Sequence, residues 1–375
     1  MNTIIRHRLR LIPTPLLYSF PKSPFLQSSF SFSTTTSDPV SFTLSYLTNT
    51  CGFSPEDALK LSKRLRFNTA LGFSVISFFR THGFSAAQIY HVFNKVPDVM
   101  LYHPTRRILP KFHFLASKGA SPSDTVLIVS KNPRFLHHNF NNRISSTFQL
   151  LRTFFPSDHE ALAVLIACPN IITDYRIASN VDMLLEAGVT HSGIRHLLHS
   201  RPLVLCSNLR TTLEEVKLLG CDPLKLNFVV ALEAKWALPK SLWDAKVDAL
   251  KKWGWSEDEV LVAFRIQPSM MLHSSEKLNA VTGIWVGRLG WDRSVLIAYP
   301  SLFFCSLEKR IVPRALVLEH LLSKGLVRKD INLYTPFRMT DEVFLQKYVK
   351  RFEQETLRLL ELYREGDGTC QHLRV

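Results

Sequence analysis

A proline recurs along this chain at an interval close to the length of one supersecondary unit. Each proline follows an apolar run of helical type and precedes a short apolar stretch, as in IRHLLHSRPLVL at residues 194–205. Successive prolines are 36, 36, 33, 66 and 32 residues apart, and 66 is twice 33. Since a period in this range is typical of stacked helical repeats, the spacing predicts an all-α superhelical solenoid rather than one globular core. The prolines are Pro97, Pro133, Pro169, Pro202, Pro268 and Pro300.

Glycine and helix-capping residues place the remaining parts of each unit. Glycine suits the left-handed cap that ends one helix, and proline ends the next helix. Ser54 before Pro55, and Ser256 with Glu259, have the pattern of helix N-caps. Each unit is therefore predicted to consist of a glycine turn, a helix of about three turns that ends at the proline, an apolar stretch and a second helix. Four glycine and proline pairs share a spacing of 14 residues: Gly83 and Pro97, Gly119 and Pro133, Gly188 and Pro202, Gly254 and Pro268.

Two units depart from this pattern, and the two ends of the chain lie outside it. Ala234 and Lys235 occupy the place of one expected proline, which indicates a degenerate repeat. The unit that ends at Pro300 has a shortened first helix, because Gly290 lies only 10 residues upstream. Thr340 is the predicted cap of a helix in the tail. We assign residues 48–325 to the repeat array, 326–365 to a C-terminal helical cap and 366–375 to a frayed tail.

Residues 1–37 are typical of a cleaved organellar targeting segment. They contain Arg6, Arg8, Arg10 and Lys22, many serines and no acidic residue. Prolines interrupt the apolar core that a secretory signal would need. We favour the mitochondrion because the arginines crowd the extreme N-terminus, with the chloroplast as the alternative.

The net charge of +15 points to a polyanionic partner. The segment before Asp38 carries four of these excess charges and leaves eleven to the rest of the chain. This favours nucleic acid over a membrane surface, and a generally basic soluble protein is the neutral alternative. The six cysteines form no CxxC pair and are expected to be buried reduced thiols, and no cofactor or metal is expected. We expect no enzyme, because no phosphate loop, HExxH or GxSxG motif is present.

The C-terminal half resembles a known family. CSLEKRIVPRALVLEHLLSKGL at residues 305–326 is similar to the C-terminal signature of the mitochondrial transcription termination factor (mTERF) family in its plant form, and residues 242–281 resemble its preceding repeats. The likeness extends through CGFSPEDALKLSKRLRF and covers residues 48–365. It implies a half-ring α-solenoid whose repeats each hold two helices and a short 3₁₀ turn. It also implies organelle-encoded nucleic acid as partner, with roles in transcription termination, transcript regulation or intron splicing.

A cation follows the predicted start of the second helix in most units. Six residues past the proline, four units carry an N-cap type: Asn139, Asn208, Ser274 and Ser306. A cation in the first turn of a helix costs about 0.3–1 kcal/mol of stability. Its recurrence in successive repeats therefore suggests a function, namely a track of positive charge that binds phosphates. The alternative is an ordinary solvated face, on which Glu276 and Glu308 would neutralise neighbours. The candidate contacts are Arg106, Arg107, Lys111, Arg143, Arg176, Arg210, Lys277, Lys309, Arg310 and Arg314, of which the family motif also covers Arg310 and Arg314.

These observations predict a monomeric regulator of organelle gene expression that binds double-stranded DNA and acts in transcription termination or regulation. Two alternatives stay open at this stage. One is an RNA-binding factor for organellar intron splicing, and the other is a protein-binding helical scaffold. A pentatricopeptide-type RNA reader also has helix pairs of similar length, but its unit lacks the recurrent proline. Most aromatic residues, including Phe112, Phe114, Trp253 and Trp255, have the spacing of core residues.

Overall fold

The computed structural model describes residues 39–64, 69–328 and 331–368, and these residues contain helices and no strand. The predicted targeting segment lies outside the described residues. The α-helices are Pro39–Ser45 (α1), Pro55–Arg64 (α2), Thr69–Thr81 (α3), Ala86–Lys95 (α4), Leu109–Ser117 (α5), Pro122–Lys131 (α6), Ser146–Phe154 (α7), Asp158–Ala167 (α8), Arg176–Glu186 (α9), His191–Ser200 (α10), Leu209–Leu218 (α11), Leu226–Ala237 (α12), Lys240–Lys251 (α13), Glu257–Ile266 (α14), Ser275–Thr282 (α15), Ser294–Ala298 (α16), Val312–Ser323 (α17), Tyr334–Arg338 (α18), Asp341–Leu345 (α19) and Thr356–Gly368 (α20).

Each of the six repeat prolines is the first residue of a 3₁₀-helix. The ring fixes φ and removes an N–H donor, so it ends the preceding α-helix and suits the first position of the next short one. The residues two and three positions after it are apolar and buried in all six units, as Phe135 and Leu136 are. This confirms the 3₁₀ turn that the family resemblance implied. The 3₁₀-helices are Pro97–Leu101, Pro133–Leu136, Pro169–Ile172, Pro202–Cys206, Pro268–Leu272 and Pro300–Phe304.

The predicted helix boundaries are largely confirmed. Gly83 has φ of +88°, a left-handed conformation that favours glycine, and its counterparts in the other units share it. Ser256 and Glu259 form the expected capping box. Asn139, Ser274, Ser306 and Thr340 each accept a backbone N–H as predicted. Asn208 is the exception, because it precedes α11 without making a side-chain cap.

The helices form two layers that continue through seven repeats, which we number from α4–α5 (repeat 1) to α16–α17 (repeat 7). First helices contact one another along one layer, as α4 contacts α6 and α12 contacts α14. Second helices form the other layer, in which α7 contacts α9 and α13 contacts α15. One apolar core runs between the layers for the length of the array. The solenoid prediction is therefore confirmed.

Repeat 5 is the degenerate repeat. Its first helix, α12, continues through Ala234 and Lys235 without a 3₁₀-helix, because no proline ends it there. Like α4, α6 and α14, it packs against the 3₁₀-helix of the following repeat, here Pro268–Leu272. Repeat 7 is shortened as expected, since α16 has only 5 residues.

Polar side chains from the second helices reach forward to backbone carbonyls at the end of the next short helix. Lys277 Nζ donates to the carbonyl of Cys305 at 2.7 Å, and Asn180 Nδ2 donates to those of Leu205 and Ser207, both at 2.9 Å. A buried carbonyl without a donor would cost about 1–3 kcal/mol. These connectors therefore fix how the repeats that carry them sit on the unit that follows. They are Lys111, Asn180, Lys246, Lys277 and Arg314.

Lys111 makes the stability of the array depend on pH. Burial, and to a smaller extent the nearby charge of Arg107, lower the pKa of its ammonium group to about 8. The unfolded chain keeps this proton to a higher pH than the folded protein does. The free energy of unfolding therefore rises with pH above about 8, and this gain is lost as the pH falls through 8. Between pH 7 and 9.5, the free energy of unfolding of the wild type should rise by about 2 kcal/mol relative to Lys111→Met.

Urea unfolding of both proteins at the two pH values measures this difference. Lys95→Met, which removes an exposed lysine, is the matched control and should show no such change. An equal response of wild type and Lys111→Met would show that the ammonium group is not buried as described.

Two glycines make room for the indole of Trp253. A Cβ added at Gly287 would lie 2.6 Å from Trp253 Cζ3, and one at Gly283 would lie 2.9 Å from Cζ2. The indole Nε1 also donates to Asn279 Oδ1 at 2.8 Å, which holds the ring over these glycines. The ring therefore packs directly on the backbone at Gly283 and Gly287, just after the end of α15.

Gly287→Ala should destabilise the protein by about 1–2 kcal/mol, because overpacking outweighs the better helix propensity of alanine. In a Trp253→Ala background the clash is absent, so the same substitution should become neutral or stabilising. Thermal and urea unfolding of the double-mutant cycle measure this change of sign. A similar loss in both backgrounds would exclude the indole as the cause.

The C-terminal cap covers the end of the array. Helix α20 packs along α17, and α19 continues as the π-helix Gln346–Lys350. Helix α20 extends to Gly368, so the tail predicted to fray from residue 366 begins within a helix. Five cysteines are buried and unpaired, as predicted, and Cys370 lies outside the described residues.

Candidate nucleic-acid interface

The 3₁₀-helices of repeats 1–4 line one groove of about 990 Å³. Each of these repeats contributes residues from the proline-marked 3₁₀-helix or from the segments on either side of it. The groove extends from Lys95 in repeat 1 to Trp236 in the degenerate repeat 5. The recurrent proline therefore builds the groove as well as the repeat, because it places a short helix at the same point of each unit.

Three permanent cations and two carboxylates line this groove. The cations are Lys95, Arg134 and Arg176, and the acids are Asp98 and Asp174. Lys95 and Arg134 are exposed and have no carboxylate partner among the described residues. Their charges are therefore available to an anion in the groove.

Arg107 borders the groove through a contact between repeats 1 and 2. Its guanidinium lies over the ring of Tyr102, 3.6 Å from the ring centroid. The hydroxyl of Tyr102 is 2.9 Å from Nδ1 of His137, which lines the groove. The π-helix Pro104–Ile108, which carries Arg107, thus lies beside the groove wall.

The charges of Arg143 and Arg134 both act on His138, which lines the groove. Burial lowers the pKa of His138, and the charge of Arg143, followed by those of His137, Lys111 and Arg134, lowers it further. The imidazole is therefore neutral at pH 7, and the positive charge here comes from the arginines. Arg143 is half-buried in the π-helix Phe140–Ser145.

Asp174 holds the predicted residue Arg176. Its carboxylate accepts hydrogen bonds from Arg176 Nε at 2.9 Å, from Nη2 at 2.7 Å and from the backbone N–H at 2.9 Å. Burial raises the pKa of Asp174, but the hydrogen bonds from Arg176 and the charges of Arg176 and Arg143 outweigh it, and the pKa is below its usual value. The pair stays ionised at pH 7. Of the predicted row, Arg176 lines the groove, Arg107 contacts Tyr102 beside the lining residue His137, and the charge of Arg143 acts on His138 and Asp174.

Three predicted contacts are structural connectors instead. Lys111 is 3% exposed and donates to the carbonyl of Leu136, and Arg314 is fully buried. Arg314 donates to the carbonyls of Pro336 and Met339 and pairs with Asp341. Lys277 is half-buried on the carbonyl of Cys305. The expectation that Lys111 and Arg314 are contacts of a phosphate track is corrected here, because both side chains are buried.

The other four predicted cations lie away from the groove lining. Arg106, Arg210 and Lys309 are exposed, and Arg310 is half-buried. None of them lines the groove. Of the ten predicted cations, Arg176 is therefore the one in the lining of this groove as the structure describes it.

Sequence reasoning missed Arg134, Lys95 and two aromatic residues of the groove. Phe112 and Trp255 are buried as predicted, but Tyr175 is 72% exposed and Trp236 lines the groove wall. The signal that could have found the cations is their distance from the repeat proline. Arg134 directly follows Pro133, and Lys95 precedes Pro97 by two residues.

The described residues include no group of His, Cys, Asp or Glu side chains that could hold a metal ion. Among these residues, no helix combines the length and the apolar character that a membrane span requires. No curated protein matches this chain. A family model described as mTERF matches residues 76–237 and 238–345, most of the chain and all seven repeats. With its proline-marked helical repeats and this match, the chain belongs to the mTERF family of organellar nucleic-acid-binding regulators.

Proposed function

We propose that this protein binds organellar double-stranded DNA along the groove of repeats 1–4 and thereby regulates or terminates transcription. The observation that carries the proposal is the positive charge in and beside this groove. Arg134 lines the groove, Arg107 lies over Tyr102 next to it, and the charge of Arg143 acts on the lining residue His138. Guanidinium groups bind phosphates through two parallel hydrogen bonds, which makes arginine the suitable residue for a nucleic-acid backbone. A polymerase would be obstructed by occupancy alone, so no catalytic group is required.

A salt titration of the full chain tests direct phosphate contact. Fluorescence anisotropy with a 24-base-pair duplex, at salt concentrations between 50 and 200 mM, should show a linear fall of log affinity with log salt. A slope of about −3 or steeper is expected if at least three phosphates are neutralised. Negligible binding at 50 mM salt would contradict the proposal and favour the protein-binding scaffold.

RNA is the second candidate ligand, and one observation favours it. Tyr175 lines the groove and is 72% exposed, and an exposed ring can stack on an unpaired base. The same titration with a single-stranded RNA of equal length compares the two ligands directly. Tighter binding of RNA at every salt concentration would move the function to transcript processing, such as intron splicing.

We propose the mitochondrion as the site of action, on the grounds of the arginines at the extreme N-terminus. Import of the full chain into isolated mitochondria and chloroplasts, followed by protease protection, tests this. Protection in chloroplasts alone would contradict it.

A further inference from the structure

Arg176 differs from the other groove cations in having a fixed orientation. Asp174 takes the Nε and Nη2 edge of the guanidinium, and it is itself held by the backbone N–H of Arg176. The side chain of Asp174 is 18% exposed and that of Arg176 is 38% exposed. The carboxylate is therefore anchored while one part of the guanidinium still faces the groove.

The geometry leaves a second donor edge on Arg176. Nη1 has two N–H donors with no protein partner among the described residues, and Nη2 keeps the N–H that Asp174 does not take. These two nitrogens form a planar fork. A fork of this kind matches O6 and N7 of guanine, which are two adjacent acceptors on one base edge. Adenine presents a donor and an acceptor at the same positions and cannot accept both bonds.

We propose that Arg176, positioned by Asp174, reads a guanine base in the groove, and this rests on the proposed nucleic-acid binding. Arg134 and Lys95 lack a described carboxylate partner that would fix their orientation, so they suit phosphates, which carry no sequence information. Tyr175 supports the assignment, because its exposed ring lies beside Arg176, with the guanidinium carbon 5.6 Å from the ring centroid. A base stacked on this ring would place its edge near the fork.

Base preference, rather than affinity alone, tests the proposal. The probes are a 12-nucleotide uridine oligomer and two versions of it with one central guanosine or adenosine, and the same central substitution is tested in a 24-base-pair duplex. The full chain should bind the guanosine version about tenfold more tightly than the adenosine version in at least one of the two forms. Replacing the guanosine by 7-deazaguanosine, which lacks N7, should remove most of this preference.

Two variants distinguish recognition of the guanine base from attraction by positive charge alone. Arg176→Lys keeps the charge but not the fork, so it should lose the guanosine preference while its affinity for the plain uridine oligomer changes by less than about threefold. Asp174→Asn should also lose most of the preference, without weaker binding of the plain oligomer, because a carboxylate is removed from the groove. Asp182→Asn is the control, since it makes the same charge change on an exposed part of α9 outside the groove.

The possible outcomes distinguish this inference from the proposed function. If the full chain binds all probes tightly but equally, guanine reading is overturned and nucleic-acid binding stands. If Arg176→Lys or Asp174→Asn keeps the full preference, another residue reads the base and the proposal is overturned. If no probe binds at 50 mM salt, both proposals are overturned.

Discussion

Replacing Arg314 by alanine is expected to lower the free energy of unfolding by about 3–5 kcal/mol, the largest effect that we expect from one substitution. Arg314 is fully buried and bridges α17 to the C-terminal cap. It donates to the carbonyls of Pro336 and Met339 at 2.5 and 2.9 Å and pairs with Asp341. The substitution leaves these carbonyls without a donor and creates a cavity, and both effects destabilise the protein.

Thermal unfolding and limited proteolysis measure this loss together. Because the lost contacts join the cap to the array, new cleavage sites should appear in residues 331–368 before the rest of the chain is cut. Arg310→Ala is the matched control in the same signature run, and it should cost less than about 1 kcal/mol because Arg310 is only half-buried. An unfolding temperature of Arg314→Ala equal to that of the control would contradict the structural role.

Arg314→Lys refines the same prediction. Lysine keeps the charge, but its single ammonium group cannot reproduce the planar fork that serves two carbonyls and a carboxylate. We therefore expect a loss between those of the wild type and Arg314→Ala. A stability equal to that of the wild type would show that charge alone is required at this position.

Reversing the charge of three arginines in or beside the groove is expected to weaken nucleic-acid binding by about a hundredfold or more at 100 mM salt. The variant is Arg107→Glu, Arg134→Glu and Arg143→Glu, which replaces three attractive charges by three repulsive ones. The slope of log affinity against log salt should also fall by about three, since each phosphate contact contributes about one. Anisotropy titrations at several salt concentrations give both quantities.

A control with the same change in net charge separates the groove from the general basicity of the chain. Lys240→Glu, Lys252→Glu and Lys350→Glu alter exposed residues outside the groove. This variant should bind within about threefold of the wild type, with an almost unchanged slope. Equal losses in the two triple variants would mean that no particular surface binds the ligand, and circular dichroism of both verifies that they are folded.

The repeat architecture could be predicted because it depends on local chemistry. Proline removes a hydrogen-bond donor and fixes φ wherever it occurs. The six helix ends at prolines, and the absence of one near Ala234, could therefore be predicted from the sequence. The same holds for Gly83 and for the capping box of Ser256 and Glu259. These features act over one or two turns of chain, and no distant contact overrides them.

The roles of the individual cations were decided by the tertiary structure. Lys111 and Arg107 lie four residues apart on one stretch of chain, yet one is buried on a carbonyl of the next repeat and the other is exposed beside the groove. Sequence spacing gave both the same predicted role. The rotation of one repeat relative to the next decides which face of a second helix meets the following repeat. The sequence period does not determine this rotation.

The sequence by itself determined the helical repeat, its boundaries, its exceptional units and the family. Only the tertiary structure decided that the groove lies at the 3₁₀-helices, that Arg134 and Tyr175 belong to it, and that Arg314 does not. The physical reason is that helix starts and stops are local events, whereas the exposure of a long cationic side chain depends on contacts with residues 20 to 40 positions away.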